Sequence, residues 1–564
     1  MQGKIETDVA VLGAGAAGLA AAVGAQIQAP GARVMVISSA QPGFSGCSPM
    51  VQGLNAAVSG PDSPVAHFED VVRRGCYIND QRLAWSVAHG APGLVADLEA
   101  ASDSGFARRL DGSYDQRPFG VQTHPRKLHR GYDTGRLILD SLLRLAHIHG
   151  VEMVWPYRGT EVLLDSDGIV VGLSVIDLGT GQEVVVSAAT VVVATGGAPN
   201  VFERTSAGRG KVGDGLALCA RVGAECRDME MMQFLSVGFL DPALEVGEPL
   251  PLLEESFRLA GARFRNSDGD RFLVGTSPEA MESADLETIV RACWKEIIEG
   301  RATPAGGVGL DLRHLPLKEL ESDATVPFQR IREAGLDPEV DIIEVSPVAH
   351  YQIGGVVIDE NGATSVPGLF AAGEDAGGVH GAAWTGGNGM AEALVLGTRA
   401  GRAAAEAADA NGRRLTSPVA VAARPAATKP TAPTEPVVVT RNLRSLMWRF
   451  AGPARTAEGL KEARDRLTEM AAFVAPLEAW PGGVPSRELL DLRNLLVSSL
   501  FLVESALARP GSLGVHWRDD ATTPVNDADL AYSAVQITQG EVFVEMRPVD
   551  LEYVHPPPLH QRPN

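Results

Sequence analysis

The stretch Asp8-Val-Ala-Val-Leu-Gly-Ala-Gly-Ala-Ala-Gly18 runs a short apolar segment straight into a glycine-rich turn. Val9 to Leu12 predict a buried parallel strand, and Gly13 lets the chain turn sharply after it. Gly15 lets backbone approach a pyrophosphate. Gly18 lets the following helix, alanine-rich from Ala20 to Ala25, pack closely on the strand. The start of that helix, at Ala16 and Ala17, offers free N–H groups and a positive dipole end to a diphosphate. A Gly-x-Gly-x-x-Gly turn alone is weak, because such turns also occur as plain structure. The strand before it and the helix after it make this one a dinucleotide site.

Working outward, a second strand is predicted over Ala32 to Ile37. It ends in Ser38-Ser39, where an NAD or FAD site often carries an acidic residue for the ribose. A serine bonds a hydroxyl more weakly than a carboxylate does, so this position does not choose the cofactor. Far downstream, Gly368-Leu-Phe-Ala-Ala-Gly-Glu-Asp375 continues as Ala376-Gly-Gly-Val-His-Gly-Ala-Ala-Trp-Thr-Gly-Gly-Asn-Gly-Met-Ala-Glu392. Another apolar strand ends there in Gly373-Glu374, and a glycine-rich loop opens a helix. The two distant segments read together as one FAD site.

Composition bounds the rest. A chain of 564 residues with 45% hydrophobic content can build two or three domains, each with its own core. No apolar run reaches the roughly 18 residues a membrane helix needs, and the first apolar run is the dinucleotide strand rather than a signal peptide. The expectation is a cytoplasmic protein with no integral membrane segment. A formal charge of −21 opposes nucleic acid and anionic membrane surfaces. The five cysteines Cys47, Cys76, Cys219, Cys226 and Cys293 form no Cys-x-x-Cys pair, which argues against an iron–sulfur cluster, a zinc site or any other metal in this polypeptide.

The matches named so far belong to a longer ordered set. It includes Gly46-Cys-Ser-Pro-Met-Val-Gln-Gly-Leu-Asn-Ala-Ala57, Ala194-Thr-Gly-Gly197 after the strand Thr190 to Val193, and Gly213-Asp-Gly-Leu-Ala217. Asn266-Ser-Asp-Gly-Asp-Arg-Phe272 and His350-Tyr-Gln-Ile-Gly-Gly355 follow. With these the chain resembles, over nearly its whole length, the flavoprotein subunits of succinate dehydrogenase and fumarate reductase. L-aspartate oxidase and adenylylsulfate reductase flavoproteins are relatives of that family.

The resemblance implies an α/β fold: a discontinuous Rossmann-like FAD-binding domain (1–230 plus 345–412), an inserted α+β capping domain (231–344) and a C-terminal helical domain with its tail (438–564). The Pro-, Ala- and Thr-rich run makes 413–437 a linker. Apolar residues at helical spacing in Arg441 to Trp448, Arg455 to Phe473 and Glu488 to Leu507 predict the helices of a small bundle. Leu507 to Asp519 would link that bundle to final strands.

The resemblance also implies site residues. Gly13, Gly15, Ala16, Ala17, Gly18, Ser38, Gly46, Cys47, Ser48, Gln52, Gly53, Ala194, Thr195, Gly196, Asp214, Glu374, Asn388, Gly389 and Met390 would hold FAD. Cys47 matches the position where membrane-bound relatives attach flavin through histidine. A free cysteine is more often a small buried apolar residue, so the flavin is expected to be non-covalent. Arg258, counted back from the Asn266 turn, would be the catalytic or substrate-anchoring cation. The glutamate expected two residues later for proton delivery is Ala260. His350 and His380 would face the substrate.

Departures from the family pattern point to an altered substrate. Where dicarboxylate enzymes carry Phe-His-Pro-Thr-Gly, this chain has Phe234-Leu-Ser-Val-Gly238, and where they carry Gly-Ala-Asn-Arg-Leu-Gly it has Gly381-Ala-Ala-Trp-Thr-Gly386. Each lost charge-assisted contact removes about 1.5–3 kcal/mol. Leu235, Val237, Trp384 and Thr385 would line a pocket for a partly apolar small molecule.

The expected activity is therefore an FAD-dependent oxidoreductase acting on a CH–CH or CH–NH bond of something other than a simple C4 dicarboxylate. The alternatives are a flavoprotein subunit that passes electrons to a separate ferredoxin-like iron–sulfur protein, and an L-aspartate oxidase or fumarate reductase proper. A flavin-binding protein with a decayed site is a third, and self-association into a homo-oligomer stays open.

Overall fold

The computed structural model describes residues 5–118, 122–245, 247–410, 436–478, 486–521 and 530–557. The linker expected over 413–437 lies outside the described residues as far as 435. The helix Pro436–Ala451 begins at its end.

The opening strand Ile5–Leu12 is buried from Thr7 onward and pairs in parallel with Val34–Ile37 on one side and with Glu183–Val193 on the other. Its unbroken apolar run fits that double coverage, since a parallel strand flanked by helices has no solvent face. Glu152–Val154 extends the sheet beyond Val34–Ile37. The long strand Glu183–Val193 changes partner along its far edge. Its first half pairs antiparallel with Val170–Asp177, which in turn pairs with Tyr157–Leu164. Its last three residues pair in parallel with Leu369–Ala371. That exchange brings the downstream glycine-rich loop beside the N-terminal one.

Two helices close the arrangement. Ala16–Gln28 and Asn388–Ala410 cross so tightly that a Cβ on Gly401 would fall 1.8 Å from the Ala21 carbonyl oxygen, and one on Gly397 would fall 2.6 Å from that of Ala17. The small residues that weaken each helix's amphipathic signature are what permit this approach.

The inserted domain is built on an antiparallel sheet of Met232–Phe239, Ile343–Gln352, Val308–Asp311 and Arg263–Arg265. Phe239, Phe257, Phe264 and Phe328 fill its core, with the helix Leu286–Ile298 packed alongside. The helices Pro436–Ala451, Ala457–Glu478 and Arg487–Ala508 share a second core with Phe202, Phe234 and Trp294. A hairpin of Ala531–Thr538 and Glu541–Pro548 returns to pair with Cys226–Arg227. The architecture is the α/β fold expected, with a Rossmann-like sheet, a capping sheet and a helical C-terminal domain. Among the described residues, no helix is long and apolar enough to cross a membrane.

Candidate active site

The glycine turns meet at the carboxyl ends of the parallel strands, where open α/β sheets bind their ligands. Gly13 has φ +111°, and a Cβ there would fall 2.1 Å from the Ala194 carbonyl oxygen. A Cβ on Gly18 would fall 2.0 Å from the carbonyl oxygen of Gly13. The helix beginning at Ala16 has Gly15 at its cap, no capping side chain and no acidic residue in its first turn. Ser48 Oγ accepts from Ala16 N–H at 3.2 Å, which draws Gly46, Cys47 and Ser48 over the helix start near Ala17. Ser38 is buried at the end of its strand, and its hydroxyl accepts from Ala40 N–H at 3.4 Å.

Asp375 holds the turn Ala194–Gly197. Its carboxylate accepts from Thr195 N–H, and from Gly196 N–H at 2.8 Å. Burial pushes this carboxyl up to about 7. Next to it, Glu374 pairs with Lys211 and accepts from Gln352 N–H at 3.1 Å. Gly53, beside Gln52, packs against the Lys127 side chain. Asn388 Oδ1 accepts from Asn55 Nδ2 at 2.7 Å and bonds His67 Nε2 at 2.9 Å, fixing the start of its helix, while Met390 is buried in the core. A helix start with no acidic residue, turns that exclude side chains and a convergent carboxylate fit the diphosphate and hydroxyls of FAD. Asp214 lies apart from them: it is bound by Arg158 at 2.6 Å and Asn494 at 2.7 Å, tying the sheet domain to a C-terminal helix.

On the cap side, Trp384 is stacked on Tyr351 with ring centroids 5.2 Å apart, and His350 stands 5.4 Å from the same indole. His350 Nδ1 faces Ser206 Oγ at 2.8 Å, leaving Nε2 for another partner. Burial and the nearby Lys211 cation lower its pKa to about 3, so the ring is neutral at pH 7. His380 lies beneath this layer, with Nε2 2.8 Å from Glu392, which also accepts from the Tyr351 hydroxyl at 2.6 Å. Thr385 is buried in the loop that follows, where its carbonyl accepts from Asn388 N–H at 3.1 Å. Leu235 is buried on the cap strand, and Val237 sits within the cap's own core beside Phe257.

Arg258 is buried on a short cap helix, where Nη1 donates to the carbonyls of Glu282 at 2.6 Å and Ala284 at 3.3 Å, and Nε to Glu255 at 3.1 Å. Its guanidinium braces the cap. A different arginine faces a crevice. Arg291 shares that crevice with Gln233, Phe234 and Glu287 and lies over the Trp517 indole, 4.1 Å from the ring centroid. It donates to Thr288 Oγ1 at 3.0 Å, and among the described residues no carboxylate pairs with it. Gln233 accepts from Trp384 N–H at 3.2 Å and donates to Glu287 at 3.0 Å, joining this crevice to the aromatic wall. Glu255, placed between Arg258 and Ser236, is an acid in the cap that the motif spacing around Ala260 does not mark. Arg291 and Glu255 are on helices whose register toward the cleft is set by tertiary packing, and no local motif marks them. Lys211 and Asp375 stand within or next to the glycine-rich motifs, and their one signal in the sequence is a charge among glycines.

A model of the FAD binding domain matches residues 8–390, and one of the fumarate reductase flavoprotein C-terminal region matches 440–562. The chain belongs to the FAD-dependent oxidoreductases of the fumarate reductase and succinate dehydrogenase flavoprotein family. It is 34% identical to a subunit of the fumarate reductase (CoM/CoB) of Methanothermobacter marburgensis, over 91% of this chain and 94% of that protein. It is 34% identical to an L-aspartate oxidase of Caulobacter vibrioides, again over 91% and 94% of the two chains. Its structure is similar to that of E. coli quinol fumarate reductase, with a TM-score of 0.86 at 28% identity and 98% of each chain covered.

Proposed function

We propose that this oxidoreductase acts on a CH–CH or CH–NH bond of a substrate that pairs one anionic group with a partly apolar body and is not a simple C4 dicarboxylate. The observation that carries this reading is the wall formed by Trp384 stacked on Tyr351 and facing His350. An indole there offers area to an apolar group and no charge to a second carboxylate. Arg291 forms no ion pair among the described residues, although Asp285, Glu287 and Asp519 attract it, and in this reading it supplies positive field to one anion. The glycine turns at Gly13 and Gly18 and the Glu374 loop would hold FAD non-covalently, and the cofactor would supply hydride chemistry when bound. The residues of the chain orient and exclude: Arg291 anchors the anion, neutral His350 offers Nε2 as a hydrogen-bond group, and the aromatic wall keeps water from the apolar portion.

The relatives named as subunits favour a second reading of the electron route, in which a separate ferredoxin-like iron–sulfur polypeptide takes the electrons. The five cysteines of this chain are free and scattered, so the clusters of such a route would belong to that partner.

The test is anaerobic reduction of the purified yellow protein, following the flavin band as dicarboxylates, monocarboxylates, amino acids and aromatic acids are added in turn. Bleaching by a larger monoanion, and not by succinate or L-aspartate, is the expected result. Bleaching by succinate or L-aspartate at comparable rates would make the chain a dicarboxylate enzyme and overturn the reading.

A further inference from the structure

Lys211 is a cation enclosed in the cofactor crevice. The residue is 4% exposed, and its backbone is fixed by Gly208 and by Asn200, whose Nδ2 donates to the Lys211 carbonyl at 3.0 Å. Its ammonium pairs with Glu374, and Cys47 lies near enough to interact with it electrostatically. A Cβ on Gly196 would lie 3.4 Å from Lys211 Cε. One side chain therefore meets the turn after Glu183–Val193 and the loop after Leu369–Ala371 and lies near the Gly46–Ser48 segment, three of the segments that would line the cofactor. Its field also reaches His350 on the substrate side. The carboxylate that balances it is shared, since Glu374 also accepts from Gln352 N–H.

We propose that Lys211 sets the electron affinity of the flavin in this protein. A hydride taken from a substrate carbon brings two electrons and one proton to N5, and the reduced ring then carries one more negative charge than the oxidised ring. A fixed ammonium in this lining would favour that charged form, with burial limiting the screening by water and the paired Glu374 carboxylate offsetting part of the field. Lys211 gives up no proton in this step, and the substrate supplies both electrons. The inference rests on FAD binding in this crevice and is independent of which substrate is used.

The experiment is a dye-equilibrated redox titration of the FAD-loaded wild type, Lys211→Met, Lys211→Arg and the double variant Lys211→Met/Glu374→Gln. The double variant removes the pair without leaving a bare buried carboxylate. Loss of the charge is expected to disfavour reduction at least tenfold, which lowers the two-electron midpoint potential by about 30 mV or more. Lys211→Arg is expected to stay near wild type. The double variant, which loses one positive and one negative charge together, is expected to lie between Lys211→Met and wild type. An unchanged potential in Lys211→Met overturns the proposal. So does a set of folded Met variants that hold no FAD, because Lys211 would then be a cofactor-retention residue. A wild type that purifies without FAD would instead defeat the cofactor reading itself.

Discussion

The indole of Trp384 lies nearly parallel to the phenol ring of Tyr351, with planes 19° apart and centroids separated by 5.2 Å. Tyr351 is itself fixed from below, because its hydroxyl donates to Glu392, which also bonds His380. A Cβ on Gly389 would fall 2.9 Å from the Tyr351 ring, so the start of the adjoining helix holds the stack from a third side. Replacing Trp384 with Ala should remove roughly 1.5–3 kcal/mol of apolar contact and lower kcat/KM for the preferred substrate about tenfold to a hundredfold. Steady-state kinetics with the compound found in the anaerobic panel checks this. Little change would show that the wall does not meet the substrate.

The two cap arginines should separate cleanly. Arg258→Met deprives the Glu282 and Ala284 carbonyls and Glu255 of a buried donor, and should destabilise the protein by about 2–4 kcal/mol. Arg291→Met removes a cation with no carboxylate partner among the described residues. Losing the contacts with Trp517 and Thr288 should cost about 1 kcal/mol of stability, less than Arg258→Met, while lowering kcat/KM about tenfold to a hundredfold. The paired measurement is calorimetry beside kinetics, and a reversal of the two phenotypes would return the anchoring role to Arg258.

Gly13→Ala should abolish FAD binding and destabilise the fold by about 3 kcal/mol or more. The added methyl has no space beside the Ala194 carbonyl, and φ +111° is strained for any L side chain. The ratio of flavin to protein absorbance in the purified variant, with its unfolding midpoint, reads both effects.

Enclosed imidazoles, His67, His350 and His516 among them, should make stability fall in acid. Burial lowers the pKa of His67 to about 4 and that of His350 to about 3, whereas an unfolded histidine titrates near 6.5. As pH drops below 6.5 the unfolded chain binds protons that the folded chain refuses. The stabilising contribution is thus full above pH 6.5 and is lost on acidification toward those values, by up to about 1.4 kcal/mol per pH unit for each group. Asp375, raised to about 7, works in the opposite direction, favouring the fold at low pH and losing that contribution as pH rises toward 7. His67→Gln keeps a donor for Asn388 and should flatten the slope of unfolding free energy between pH 6.5 and 4. An identical slope in wild type and variant would contradict the assignment.

Acid precipitation should release all the flavin into the supernatant, and Cys47→Ala should remain yellow before precipitation. Flavin that stays with the wild-type pellet but leaves that of Cys47→Ala would show a thioether bond.

The residues by themselves determined the cofactor chemistry and the class of fold. A strand that must be apolar on both faces, a turn that must lack side chains and a helix that must approach closely are local demands, and Val9 to Gly18 states all three in consecutive positions. The exchange of Arg for Trp at 384 was legible in the same way, because it falls inside a quoted motif. Tertiary structure alone decided what surrounds each charged group. Arg258 and Arg291 both lie on cap helices, yet one is surrounded by backbone carbonyls and the other stands over Trp517, a residue brought there from the C-terminal domain. His380 was legible as a histidine in a cofactor loop, but only folding put Glu392 and Tyr351 around it. A guanidinium or imidazole carries no sequence mark of its future partners, because a distance of 12 to 29 residues, as for His380 and the carbonyls around Arg258, or of more than two hundred, as for Arg291 and Trp517, is closed only by folding.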